Sequence, residues 1–204
     1  MSKETTHWAR QLTPYHWFVF IICSAAWFFD CLDQRLFSLA RVDALTDLTR
    51  SVPSADVQAL GKNVTAFFLI GWGVGGLVFG ALGDRYGRAK MLTLTVLIYS
   101  VCTGMSYFSQ SYWDFALARF LTGVGVGGVF GLAVALIAET LPDNARSGAL
   151  GWLQILSTVG NLSAGVVLSV IGALAARDII GPGNGWRWRF LGGAPPPPVV
   201  GFTM

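Results

Sequence analysis

The chain has 204 residues, of which 53 % are hydrophobic and only 12 % are charged. Soluble domains carry roughly a quarter charged residues, so this composition argues against a water-soluble protein and favours one that lies in a lipid bilayer. The net charge of +3 is too small to suggest a nucleic-acid partner.

Five apolar segments follow a polar amino-terminal tail at residues 1–16. Each is about long enough to cross a bilayer as a helix, which takes ~20 residues. The predicted spans are residues 17–40, 64–82, 91–108, 115–137 and 149–176. The charges and the proline at residues 41–63 predict a polar loop between the first two spans. The predicted fold is therefore all-α, a polytopic membrane domain over residues 17–204.

A sixth apolar segment starts near Phe190 but is predicted to be incomplete. It reaches only Met204, and it contains four consecutive prolines, Pro195–Pro198. These prolines would break a helix in a solvent that cannot replace the lost hydrogen bonds. We therefore expect the sequence to be a fragment or a truncated product.

Asp30 and Asp33 lie deep in the first span, three residues apart and on one helix face. An ionised carboxylate there costs at least ~2.5–3.5 kcal/mol, so it should face a wet cavity, pair with a cation or take up a proton. The first hypothesis makes both residues sites of proton uptake or solute contact. The alternative is that the span ends near Leu36 and that both residues cap it beside Arg35 and Arg41.

The stretch between the second and third spans holds four charges in seven residues, from Asp84 to Lys90. A polar turn between two uncharged helices stays in water or headgroups at one membrane face. Its pattern resembles the signature G-x-x-x-D-[RK]-x-G-[RK]-[RK] in the loop between helices 2 and 3 of major facilitator superfamily transporters. The matching residues are Gly80, Asp84, Arg85, Gly87 and Arg88, with Ala89 at one basic position.

This resemblance implies an architecture of two six-helix halves that transports a solute by alternating access. The chain would then be most of the amino-terminal half, and its partner would be a missing carboxy-terminal half. The resemblance also implies a cytoplasmic amino terminus, a cytoplasmic gating loop at Asp84 and an inner (plasma) membrane location. Basic residues number six on each face, so charge alone does not decide the orientation.

Two glycine patterns in the spans spell the dinucleotide fingerprint G-x-G-x-x-G, at residues 71–76 and 123–128. They lie inside uncharged spans and not after a strand, so helix packing explains them better than nucleotide binding. Glycines four residues apart remove side-chain bulk from one helix face. The predicted packing pairs are Gly71/Gly75, Gly76/Gly80, Gly123/Gly127 and Gly127/Gly131.

Arg119 is a second charge inside the membrane, and it keeps its proton, so it needs an anionic partner or water. If the first and fourth spans are antiparallel, helix rise places Asp33 and Arg119 roughly 10 Å inside the same face. They could pair or share an anionic solute. The alternative is that Arg119 extends to the interface. Arg119-x-x-x-Gly123-x-Gly125 also resembles the helix-4 motif R-x-x-x-G-x-G of proton-coupled members of the superfamily.

Glu139 and Arg146 flank the end of the fourth span, where Pro142 stops the helix. The segment is similar to the E-x-x-P-x-x-x-R-G element of sugar porters and metabolite symporters, with Ser147 inserted before the glycine. We expect a cytoplasmic charge network, the alternative being independent solvated charges. Its members would be Asp84, Arg85, Arg88, Glu139 and Arg146. In the fifth span, the polar candidates for a solute cavity are Gln154, Ser157 and Asn161.

Cys23, Cys31 and Cys102 form an odd set without paired spacing, which predicts neither disulfides nor a zinc site. His7 and His16 precede the first span, and the sequence shows no nucleophile triad or phosphate-binding loop. We expect no cofactor, no metal and no enzymatic activity.

The expected function is secondary transport of a small solute, with a proton as the coupling ion and an organic acid or related metabolite as the cargo. Asp30-Cys31-Leu32-Asp33 resembles the D-G-x-D element in helix 1 of aromatic-acid and related metabolite:proton symporters, with Cys31 in place of glycine. The alternatives are sugar transport by the same fold and a non-transporting membrane remnant or accessory component.

Overall fold

The computed structural model describes residues 12–49, 54–176, 186–187 and 190 of the chain. Within these residues the secondary structure is entirely helical, which confirms the predicted fold class. The helices are α1 (Pro14–Leu48), α2 (Ser54–Tyr86), α3 (Arg88–Met105), α4 (Tyr112–Thr140) and α5 (Asp143–Ala176), with a 3-10 turn at Ser106–Phe108. All five long helices are apolar enough and long enough to cross a membrane.

Local sequence signals set several helix ends. Thr13 and Ser111 precede α1 and α4, and each forms a capping box with the third helical residue, His16 or Asp114. These side chains satisfy backbone N–H groups that the first helical turn leaves without partners. Gly87 separates α2 from α3 at a φ of 97°, a conformation that glycine adopts without steric cost.

The predicted polar loop at residues 41–63 is wrong. α1 continues to Leu48 and α2 begins at Ser54, so helix occupies most of this stretch. The extension is amphipathic: one face buries Ala44, Leu45 and Val57 against Trp186. Asp47 fastens the same face by accepting a 3.1 Å hydrogen bond from the Trp186 indole N–H.

Some predicted features lie outside the described residues. They are the tail up to residue 11, the prolines Pro195–Pro198 and the incomplete sixth segment after Phe190.

α4 is the central helix and contacts all four others, whereas α5 packs mainly on α1. The α2–α4 contact is the closest, because glycines from both helices face the opposing backbone. A Cβ on Gly71 or Gly75 would collide with the carbonyl of Phe120 or Val124. A Cβ on Gly127 would collide with the carbonyl of Trp72. Glycine therefore lets these two backbones touch.

The predicted glycine pairs are only partly correct. Gly71/Gly75 and Gly123/Gly127 form the α2–α4 contact, as expected. Gly80 and Gly131, in contrast, have no atom within 4 Å of a would-be Cβ. These two glycines face away from the contact, since Gly83 and Gly128 beside them still meet Leu132 and Phe79 of the opposite helix. Four-residue spacing alone did not distinguish them.

We expect Gly75→Ala to destabilise the chain by about 1–3 kcal/mol, because its methyl group would force the α2 and α4 backbones apart. Gly73→Ala on the same helix is the matched control, since no atom lies within 4 Å of its Cβ position. There, helix propensity predicts a gain of up to about 1 kcal/mol. Thermal unfolding of both variants in detergent tests this, and equal melting temperatures would contradict the close α2–α4 contact.

Candidate functional site

Arg119 lies at the centre of the bundle, and the structure brings it to Asp33. Arg119 Nη1 is 3.5 Å from Asp33 Oδ2, and both side chains are 0 % exposed. The same guanidinium donates two hydrogen bonds to Ser106 Oγ, from Nε at 3.2 Å and from Nη2 at 2.7 Å. The alternative in which Arg119 extends to the membrane interface is therefore wrong.

Two aromatic rings complete the surroundings of the Arg119 charge. Its guanidinium carbon lies 5.5 Å from the centre of the Phe37 ring and 4.8 Å from that of Phe190. Both rings are within the distance at which a cation is attracted to an aromatic face. The charge is thus held by one carboxylate, one hydroxyl and two rings in a site without water access.

Sequence reasoning missed Ser106, Phe37 and Phe190. One signal was present for Phe37, which follows Asp33 by four residues and so shares its helix face. Ser106 lies 13 residues before Arg119, beyond a turn whose geometry the sequence did not reveal. Phe190 reaches the site from a segment far along the chain, and no sequence pattern indicated that contact.

Asp30 is fully buried one helical turn before Asp33, but it does not pair with Arg119. Its Oδ2 accepts a 3.2 Å hydrogen bond from Gln34 Nε2. Its Oδ1 has no hydrogen-bond partner among the described residues, and the same holds for Asp33 Oδ1 and the Tyr99 hydroxyl. α1 therefore carries two buried carboxylates with unused acceptor capacity.

The alternative in which these carboxylates cap a shorter first span is wrong. α1 continues well past Leu36, and Arg35 is exposed on its outer face. Arg41 instead donates a 2.9 Å hydrogen bond to Thr65 Oγ1 on α2. Neither arginine forms an ion pair with Asp30 or Asp33 in the described part of the chain.

The α5 candidates do not join the buried site. Gln154 and Asn161 are exposed, and Ser157 between them is buried. Asn161 Nδ2 donates to the Ser157 carbonyl oxygen at 3.0 Å, within the same helix. Gly160 of this helix meets α1 closely, because a Cβ there would lie 2.6 Å from the Phe28 carbonyl oxygen. Gln154 and Asn161 thus lie beside α1, on the side of α5 that the other described helices leave uncovered, which we call the open side.

At the end of the bundle where α2 and α4 finish, Arg88 connects two of the predicted acidic residues. Its Nη2 is 2.9 Å from Asp84 Oδ1, and its Nε is 2.7 Å from Glu139 Oε1. This triad joins the turn after α2 to the end of α4.

The predicted five-residue network is otherwise incomplete. Arg146 pairs with Asp143 at 2.9 Å, three residues away on its own helix. Arg85 lies over the ring of its neighbour Tyr86, at 5.5 Å. Arg85 is exposed, whereas Arg146 is half-buried and its Nε has no hydrogen-bond partner among the described residues. Both arginines contact a neighbour in sequence instead of the predicted network.

A metal site was not expected, and no group of three His, Cys, Asp or Glu residues within the described ranges could hold a metal ion.

Comparison with known proteins finds a family match over residues 17–204, to the family described as "Sugar (and other) transporter". A "Putative metabolite transport protein" of Haemophilus influenzae is 34 % identical over 95 % of this chain and 44 % of its own length. A "Probable 4-methylmuconolactone transporter" of Cupriavidus pinatubonensis is 32 % identical over 96 % of this chain and 43 % of its own length. The chain thus spans less than half the length of these relatives.

Among solved structures, the fold matches the proton:xylose symporter XylE of Escherichia coli, bound to 6-bromo-6-deoxy-D-glucose. The TM-score is 0.78 at 21 % identity, and the match covers 93 % of this chain and 44 % of that one. At this identity the likeness concerns the fold alone.

We expect Arg88 and Glu139 to couple by about 0.5–1 kcal/mol in a double-mutant cycle built from Arg88→Ala and Glu139→Gln. The value is small because solvent screens the pair, whose side chains are 28 % and 56 % exposed. Unfolding free energies of the two single variants and the double variant give the coupling. Arg85→Ala combined with Glu139→Gln is the control and should be additive, and equal coupling in both cycles would contradict the triad.

Proposed function

The chain belongs to the sugar (and other) transporter family of the major facilitator superfamily, and we propose that it forms the amino-terminal half of a proton-coupled organic-acid transporter. In this proposal it works with a carboxy-terminal half by alternating access. The observation that carries the proposal is the sealed ion pair between Asp33 on α1 and Arg119 on α4, 3.5 Å apart and fully buried.

A buried ion pair of this kind responds to a proton. Once Asp33 is protonated, it loses its charge and with it the Coulombic attraction to Arg119, which is strong in a medium of low polarity. α5 packs mainly on α1, while α2 and α3 pack mainly on α4; a smaller α1–α4 contact, which includes this pair, lies between these two groups. Proton uptake at Asp33 therefore loosens the contact between these groups.

Arg119 would meet the solute only after this loosening, since it is fully buried even in the half described here. A carboxylate on the solute then replaces the Asp33 carboxylate as its anionic partner. Loss of the proton restores the original pair and releases the solute. This order makes proton and solute bind together, which is the requirement for symport.

Other candidate residues have supporting roles in the proposal. Asp30, bonded to Gln34, is a second proton acceptor one turn from Asp33. Gln154 and Asn161 present amides on the open side of α5, where they would contact a solute in a cavity between the two halves. Each is a hydrogen-bonding group of the kind that sets orientation in a binding pocket.

The Arg88 triad is proposed as a brace on the cytoplasmic side, with the amino terminus in the cytoplasm. It ties the α2–α3 turn to the end of α4 through two short ion pairs. Each pair is weak by itself because it is exposed. Such a brace can therefore break and re-form as the transporter changes conformation.

An organic acid is favoured over a sugar because the site holds a permanent cation and a neutral sugar offers it no negative charge. The relatives named for metabolite and 4-methylmuconolactone transport are consistent with this preference. Sugar transport is the second candidate, since the family description names sugars first.

We expect Asp33→Asn, in a transporter of full family length that carries this chain, to abolish acid-driven accumulation of benzoate in vesicles. The amide resembles a permanently protonated carboxyl group, so exchange of benzoate across the membrane should persist. Asp143→Asn is the control, because Asp143 is 93 % exposed and pairs with Arg146 on the surface of its own helix.

Undiminished acid-driven uptake by Asp33→Asn would reject the coupling role of Asp33. Measuring xylose uptake in parallel separates the two candidate solutes. Accumulation of xylose without benzoate would reject the organic-acid proposal and favour sugar transport.

A further inference from the structure

We propose that Ser106 is a positioning residue that keeps hold of Arg119 when Asp33 takes up its proton. This inference rests on the proposed proton switch at Asp33 and adds a component to it. A switch that opens by neutralising one partner would otherwise leave a buried guanidinium with no hydrogen-bond acceptor.

The distances make Ser106 the tighter holder of Arg119. Its hydroxyl oxygen accepts from Arg119 Nη2 at 2.7 Å and from Nε at 3.2 Å. Asp33 makes a single contact at 3.5 Å, beyond the usual range of 2.7–3.2 Å for N–H···O bonds. The neutral residue thus positions the guanidinium, and the charged residue neutralises it from slightly farther away.

Ser106 can accept both bonds because its own proton is used elsewhere. Its hydroxyl donates to the Cys102 carbonyl oxygen one turn earlier, at 3.2 Å. Both lone pairs of the oxygen are then free for Arg119. Ser106 follows the last residue of α3 and begins the 3-10 turn, and the tighter backbone there directs its side chain toward α4.

The position of Ser106 in the turn directly after α3 determines its role. α3 packs on α4, so Ser106 stays with Arg119 when α1 moves, whereas Asp33 and Phe37 leave with α1. A buried arginine remains protonated, and an unpartnered buried charge is costly. Ser106 lowers that cost in the opened state and so makes the protonated state of Asp33 accessible.

Few other charged or titratable groups compete with this arrangement. Around Asp33, among the described residues, they are Asp30 and Cys31 on α1, Tyr99 and Cys102 on α3, and Arg119 on α4. α2 carries no charged residue from Val64 to Leu82, and α5 carries none from Ser147 to Ala176. The proton affinity of Asp33 should therefore respond directly to how Arg119 is held.

The direction of the response follows from the geometry. Without the Ser106 hydroxyl, Arg119 depends more strongly on the Asp33 carboxylate. The ionised form of Asp33 is then favoured, and the residue takes up its proton at a lower pH. The loss of bonds to a charged donor predicts a shift of about one pH unit.

The test is an infrared pH titration of the 204-residue chain in lipid vesicles. The carboxylic-acid C=O band of Asp33 is the one that disappears in Asp33→Asn, and its midpoint is followed without any solute. We expect Ser106→Ala to move that midpoint about one unit to lower pH, while Ser106→Thr, which keeps the hydroxyl, leaves it in place.

Ser100→Ala is the matched control. Ser100 lies on α3, shortly before Ser106, and its hydroxyl makes the same kind of bond, to the Val96 carbonyl oxygen at 2.6 Å. It should leave the midpoint unchanged. If Ser106→Ala does not yield a folded chain, Ser106→Cys, whose sulfur is a poor acceptor, replaces it with the same expected shift.

A midpoint that stays in place or rises on loss of the hydroxyl would overturn the proposal, as would an equal shift in Ser100→Ala. If the Asp33 midpoint moves to lower pH in Ser106→Ala as expected but the transporter takes up no benzoate, the proposed solute is rejected and the role of Ser106 is supported. If no band is lost in Asp33→Asn, the proton switch and the role of Ser106 both fail.

Discussion

The structure depends on satisfying one positive charge in an apolar interior. Arg119 cannot lose its proton, and bare burial of such a charge is more costly than a single residue's packing can offset. The elements around α4 therefore supply its partners: Asp33 and Phe37 from α1, and Ser106 from the turn after α3. Phe190 covers the remaining side. The contacts of α1 and of the turn after α3 with α4 therefore include the partners of the Arg119 side chain.

Close backbone packing holds α2 and α3 against α4, and it holds α5 against α1. Glycines bring α2 and α4 into direct backbone contact, and α3 meets α4 through Gly125, whose Cβ would lie 2.7 Å from Tyr99 Cβ. α1 instead shares its closest packing with α5, at Gly160. Two polar contacts join α1 to the helices around α4: the buried Asp33–Arg119 pair and the partly buried hydrogen bond from Arg41 to Thr65. In the proposed mechanism, the first of these is the one that a proton weakens.

Sequence reasoning found the fold and the principal pair but not their surroundings. Counting helix rise from the ends of the spans placed Asp33 and Arg119 at the same depth, because the rise per residue fixes the depth of each side chain in two antiparallel helices. The helical extension at residues 41–63 was missed, since its apolar face is hidden by charges on the other face. Ser106 and Phe190 were missed because a turn and a distant segment bring them in. The partner of Arg146 was not predicted, because Asp143 on the same helix lies closer to its Nη1 than the other members of the expected network.

A double-mutant cycle on unfolding in mixed micelles tests the central claim most directly, using Asp33→Leu, Arg119→Met and the two combined. Each single variant should lose about 3–5 kcal/mol, because it strands one buried charge. The double variant should recover most of that loss, giving a coupling of at least about 2 kcal/mol. Single losses that add within about 0.5 kcal/mol in the double variant would contradict a buried pair linking α1 to α4.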